Sequence, residues 1–144
     1  MIAHDVHLRP TLDGTRVVDV SMDLSADQLT AGAHAVRAVA ADRYRLAALE
    51  SADDILAMRE LTSLADELTS LVVPGAIAHL TLTIAGVGRL YDALDAFAAG
   101  AGERAEREGD AAALPHVYAI IDGVADARAA GMRAALDDSL VSGG

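Results

Sequence analysis

The sequence predicts an α+β fold, a small antiparallel three-stranded sheet covered on one face by four helices. Three observations carry the prediction. Apolar and polar residues alternate over the first 24 positions, helix start signals and helical apolar stripes fill most of the remainder, and alternation returns once near residues 77–83.

The first element is a hairpin. Ile2, His4, Val6 and Leu8 alternate with Ala3, Asp5, His7 and Arg9, and Val18, Val20, Met22 and Leu24 alternate with Asp19, Ser21 and Asp23. Between them, Pro10 presets one turn dihedral and Asp13-Gly14 tolerates positive φ, which places strands near 2–9 and 16–24. An isolated hairpin is marginal in water, so it needs a third strand, a helix layer or a second subunit.

A helix over 26–50 follows. Ser25 and Gln28 form an S-x-x-Q capping box, with Leu24 and Leu29 at the staple positions. Leu29, Ala33, Val36, Val39, Ala40 and Leu46 mark its inner side. The second helix lies in Ser51–Pro74. Ser51 is its cap, Asp53 and Asp54 suit the positive helix end, and Ala57, Leu61, Leu64, Leu68 and Leu71 form one stripe, widened by Ile55, Met58 and Val72. Pro74 ends it. The stripe is too short for a coiled coil and belongs to a core helix.

Leu80, Leu82 and Ile84 alternate with His79, Thr81 and Thr83, which predicts a third strand near 77–83 rather than a continuous helix. Superposing Ser25 on Thr83, a shift of 58 (83 − 25), lays Met22 on Leu80, Leu24 on Leu82, Leu29 on Val87, Val36 on Leu94 and Val39 on Phe97. A shift near 60 lays Leu61 and Leu64 on Ile121 and Val124. The simplest explanation is two copies of strand–helix–helix, which requires the third strand to run antiparallel to the second. The third helix spans about 84–99. The charged segment Glu103–Asp110 reads as an exposed connector, and Pro115 suits the first turn of a last helix. Val117, Ile120, Ile121, Val124, Met132, Leu136 and Leu140 mark the buried face of that helix. The chain reads as one compact domain over 1–144, with a hairpin (1–24), a helix pair (25–74), a strand plus helix pair (75–140) and a frayed tail (141–144).

Composition narrows the function classes. The formal charge is −11, all eleven basic residues are arginine and there is no lysine. A surface of this sign is repelled by phosphate backbones and anionic lipid, which argues against nucleic-acid and membrane partners and for a basic protein partner. No cysteine is present, so disulfides, thiol nucleophiles and thiolate metal sites are excluded. The start MIAHDVHLRP lacks a basic region followed by an apolar run, and no uncharged apolar stretch is long enough to span a bilayer, so a cytoplasmic location is expected. Aromatic residues make up only 3% of the chain, a thin supply of anchors for ligand pockets.

Chemistry-bearing motifs are few. Gly86-Val87-Gly88 opens a helix after a strand, yet the dinucleotide pattern requires glycine where Tyr91 stands, and close helix packing explains the pair better. His4 and His7 fall on opposite strand faces. His34, Glu60, His79 and His116 are the candidate polar cluster, able to meet only through the tertiary fold. No catalytic residue, cofactor-binding residue or metal ligand is assigned, and the chain leans toward a non-enzymatic role.

Three functional expectations follow. The first is an acidic interaction module, a homodimer paired through its first strand and serving a basic partner as accessory or inhibitory subunit. The second is a small-ligand-binding domain or enzyme with a pocket between sheet and helices. The third is a structural subunit of a larger assembly.

Overall fold

A computed structural model describes residues 2–46 and 52–142. Strands β1 (His4–Pro10), β2 (Arg16–Ser25) and β3 (Ile77–Thr83) form an antiparallel sheet in the order β1-β2-β3. Helices α1 (Ala26–Leu46) and α2 (Ala52–Ser70) separate β2 from β3, and α3 (Ile84–Ala99), α4 (Ala101–Arg104) and α5 (Glu108–Ser142) follow. The fold is therefore α+β, with one helix more than expected, because the turn after Gly100 closes the single helical turn α4.

The hairpin forms where Gly14 takes φ 86°, a conformation that costs glycine little. Asp13 organises the turn. Its carboxylate accepts hydrogen bonds from the Thr11 hydroxyl, from the Thr15 amide at 3.1 Å and from the Thr15 hydroxyl at 2.7 Å. These donors hold the Asp13 carboxyl at about 2, below the usual 3.8. Val18, Val20, Met22 and Leu24 of β2 are buried under the helices, while Asp19, Ser21 and Asp23 line the opposite, open face beside His79, Thr81 and Thr83 of β3.

The capping box is present in both directions: the Gln28 amide donates to Ser25 Oγ at 3.2 Å, and the Ser25 amide donates to Gln28 Oε1 at 2.9 Å. Thr83, its counterpart in the second half, accepts from the Gly86 amide at 3.2 Å. The β2–β3 register pairs Met22 with Leu80, the two residues that the shift of 58 superposes, and flanks them with Val20–Leu82 and Leu24–Ala78. The ladder therefore has a local two-fold axis between Met22 and Leu80, and each of its two strands runs directly into a helix, β2 into α1 and β3 into α3.

The Ser51 cap and the end of the first helix beyond Leu46 lie outside the described residues. In α2, Leu61, Leu64 and Leu68 are buried in the common core. Ala57 and Ile55, in its first turns, are exposed, so the stripe is buried only from Leu61 onward. The helix stops at Ser70, and Gly75 at φ 78° turns the chain into β3.

The last helix departs furthest from expectation. It begins at Glu108, inside the charged segment, so Pro115 lies seven residues beyond its start and not in its first turn. Proline there removes the bond to the carbonyl of Ala111, a residue on the exposed side of the helix. The helix also continues through Ser142, where a frayed tail was expected. Its buried face is Val117, Ile120, Val124, Ala127 and Gly131, whereas Met132 and Leu136 are 53% and 62% exposed. Glycine decides this. A Cβ on Gly131 would lie 2.7 Å from Val20 Cγ2, and one on Gly123 would lie 2.8 Å from Ile2 Cβ, so at two of its three glycines α5 comes close against β2 and against the residues leading into β1.

Candidate functional site

Of the four histidines and carboxylates singled out in the sequence, the fold brings two together. His34 sits midway along α1, and His116 lies in α5 one residue beyond Pro115. Both line a hollow of about 250 Å³ with Asp27, Thr30 and Gly109. Asp27, Thr30 and His34 reach it because spacings of three and four residues share one helix face. His34 is also paired with a residue the sequence did not single out. His34 Nε2 lies 2.6 Å from Asp110 Oδ1, and Arg107 Nη1 lies 3.8 Å from the other carboxylate oxygen.

Asp110 is 6% exposed, the one buried charged residue among those described. Burying a carboxylate is costly unless it is paired, and here it lies in the first turn of α5, where the helix dipole favours negative charge. The imidazole is held on its other sides by the edge of Phe97, with ring centroids 6.0 Å apart at 89°, and by Gly109, where an added Cβ would lie 3.2 Å from His34 Cε1. The pair joins α1 to α5 through one imidazole and one carboxylate. Its evident work is to pin the start of α5 to α1, through a residue inside a charged run that local sequence marks only as solvated.

Glu60 and His79 lie elsewhere. His79 Nδ1 contacts Asp23 across the β2–β3 ladder on the open sheet face. Glu60 Oε2 accepts from Arg89 Nε at 2.9 Å, bridging α2 to α3. The four residues therefore form no single cluster: their elements put them at three separate places. Among the described residues no group of three or more His, Asp or Glu side chains is arranged to hold a metal ion. The histidines of β1 stand on opposite faces by register, His4 opposite Met22 and His7 opposite Asp19.

The Glu60–Arg89 pair stands in a larger cleft of about 480 Å³ between α2, the free edge of β3 and the start of α3. Leu56, Leu64 and Leu82 give it an apolar floor, and Arg59, Ser63 and Glu67 stand at its mouth. Gly86 lets α3 begin close against the strand, since a Cβ there would lie 3.2 Å from Leu82 Cβ. Gly88 faces the Arg128 guanidinium, which stacks 5.7 Å from the centroid of Tyr91. The two glycines thus serve helix packing. Comparison with known proteins found no matching family, no matching curated sequence and no matching solved structure. No described helix is long and apolar enough to cross a membrane.

Proposed function

We propose that this chain is a non-enzymatic, acidic protein-interaction module, a homodimer through β1 that serves a basic partner as an accessory or inhibitory subunit. The observation that carries the reading is the open outer edge of the sheet. β1 is an outer strand, six of its seven residues are exposed, and no lysine or proline precedes Pro10 to blunt it. Leu8, 42% exposed, sits on that edge and lies on the helix-side face with Val18. Pairing two such edges about a two-fold axis continues the sheet from one subunit into the next. The open face supplies the docking chemistry: Asp5, Asp19 and Asp23 stand there among hydroxyl and imidazole groups, in a chain of formal charge −11.

Light scattering tests the dimer. The expected result is twice the chain mass, falling to the single mass in Leu8→Lys; a monomeric wild type overturns that part, and still larger masses favour the structural-subunit reading. Salt-sensitive retention of a basic protein in a pull-down from the native source tests the rest. Complete absence of such a partner removes the accessory role.

The hollow at His34 and His116 favours a second reading, a small-ligand site. Its volume of about 250 Å³ falls below the 300 Å³ or so at which ligand clefts begin, which ranks it second.

A further inference from the structure

The local two-fold of the β2–β3 pair calls for a strand along the outer edge of β3, and none of the described residues supplies one. β1 lies along the outer edge of β2, and the symmetric position, along the outer edge of β3, is where the 480 Å³ cleft opens beneath α2. The helix that covers β1 is α5, whose Gly123 is in contact with Ile2. A shift of 60 lays Gly123 on Ser63 (123 − 60), and Ser63 lines the cleft. The cleft is thus the counterpart of the slot beside α5 that Ile2, just ahead of β1, fills in the same molecule.

We propose that this slot is a docking site for an extended segment of a partner protein, which adds as a fourth strand to β3. The inference rests on the reading of the chain as an interaction module and names the place where the partner is held. Backbone hydrogen bonds to a free strand edge supply affinity in such additions, and alternate side chains supply specificity. The slot dictates those side chains. Arg59 and Glu67 are exposed at its mouth, eight residues apart on α2, or about 12 Å at 1.5 Å per residue. Four residues of strand cover about 13 Å and return to the same face. Leu64 lies between the two charges, with Leu82 below it.

The segment that fits therefore carries an acidic residue facing Arg59, an apolar residue two positions on against Leu64 and Leu82, and a basic residue two further on facing Glu67. Its direction follows as well. A strand antiparallel to β3, as β1 is to β2, enters beside Thr83 and runs back past Thr81 toward the start of β3. The Glu60–Arg89 bridge puts the Arg59 end of α2 near the start of α3, just beyond Thr83, so the acidic residue comes first.

The test uses the full chain and two blocked peptides, Thr-Glu-Thr-Val-Thr-Lys-Thr and its charge-reversed form Thr-Lys-Thr-Val-Thr-Glu-Thr. The expected result is saturable shifts of the Thr81, Leu82 and Thr83 amide resonances, with the first peptide favoured. In the double variant Arg59→Glu/Glu67→Arg the preference reverses, by about tenfold in affinity ratio for two exposed charge pairs changed from attraction to repulsion. Both substituted residues are exposed, so the fold is retained. Equal affinity of the two peptides, no shift at residues 81–83, or shifts confined to β1 overturns the proposal. So does a wild-type dimer that dissociates in Leu56→Asp, because a second copy then fills the slot. A native partner whose retention is unchanged in the double variant refutes this site alone and leaves the interaction-module reading intact, whereas the absence of any partner refutes both.

Discussion

Replacing Gly131 by alanine isolates the contact that seats α5 on the sheet. Inside an exposed helix the change would stabilise by about 1 kcal/mol, because alanine is the better helix former and restricts the unfolded chain. At Gly131 the new Cβ would lie 2.7 Å from Val20 Cγ2 and 3.4 Å from Ile84 Cγ1. Carbon atoms in comfortable contact stand roughly 3.5–4.0 Å apart, so α5 or Val20 has to yield by about 0.8 Å or more. Val20 is fully buried on the central strand and, being β-branched, has few rotamers to escape into. Overpacking of this kind costs about 1–3 kcal/mol, which outweighs the gain in propensity or at the least cancels it.

Gly102 supplies the comparison, since an added Cβ there meets nothing within 4 Å. Urea unfolding followed by circular dichroism should place Gly131→Ala about 1–3 kcal/mol below Gly102→Ala, the overpacking cost itself. Trimming Val20 to alanine removes the obstructing methyl, so Val20→Ala/Gly131→Ala should lose less than the sum of the two single variants, with a coupling of about 1 kcal/mol or more. A Gly131→Ala protein as stable as Gly102→Ala, or strict additivity in the double variant, would refute the close approach of α5 to β2.

Three further outcomes follow from the same contacts. Asp110→Ala should cost about 2 kcal/mol, the worth of a hydrogen bond to a charged group, and should speed amide exchange in the first turns of α5; unchanged exchange there would mean that the His34–Asp110 pair does not anchor the helix. Asp13 has a folded-state value of about 2 against the usual 3.8, so the stabilisation it contributes is complete above about pH 4 and is lost as pH falls toward 2. An NMR titration should show its midpoint near 2, and a midpoint near 3.8 would dissolve the turn network. Leu64→Asp places a charge at a position 6% exposed and should abolish cooperative folding, while Leu64→Ala should cost about 2–5 kcal/mol; a folded Leu64→Asp monomer would make the leucine stripe of α2 an intermolecular seam.

The proposed docking site also accounts for a difference between the two halves of the chain. The face of α5 at Val117, Ile120, Val124 and Ala127 is buried in the core. The corresponding positions of α2 under the shift of 60 are Ala57, Glu60, Leu64 and Glu67, of which only Leu64 is buried. An apolar face is kept where the chain covers it, and charge stands where the slot is open to water.

Signals that act over a few residues were legible in the sequence. The alternation of β1 and β2, the Asp13-Gly14 turn, the reciprocal Ser25–Gln28 cap and the Thr83 cap each depend on atoms within one turn of chain, so residue type and spacing suffice to foretell them. The antiparallel placing of β3 was legible for another reason, because the half-chain repeat carries topology as well as pattern.

Only the tertiary structure decided which of two apolar stripes on α5 turns inward. Periodicity admits both the stripe through Val124 and Gly131 and the stripe through Met132 and Leu136, and a glycine reads as a gap in an apolar face. Packing reverses that reading, since a helix comes closest to a sheet where it has no side chain, and Val20 and Ile2 fill the space left at Gly131 and Gly123. The same holds for Asp110, whose burial and partner are supplied by α1, 76 residues away. Local sequence determined the elements and their order. Steric clearance and the desolvation of one carboxylate, which exist only once the elements meet, determined how the last helix lies and which polar groups share a site.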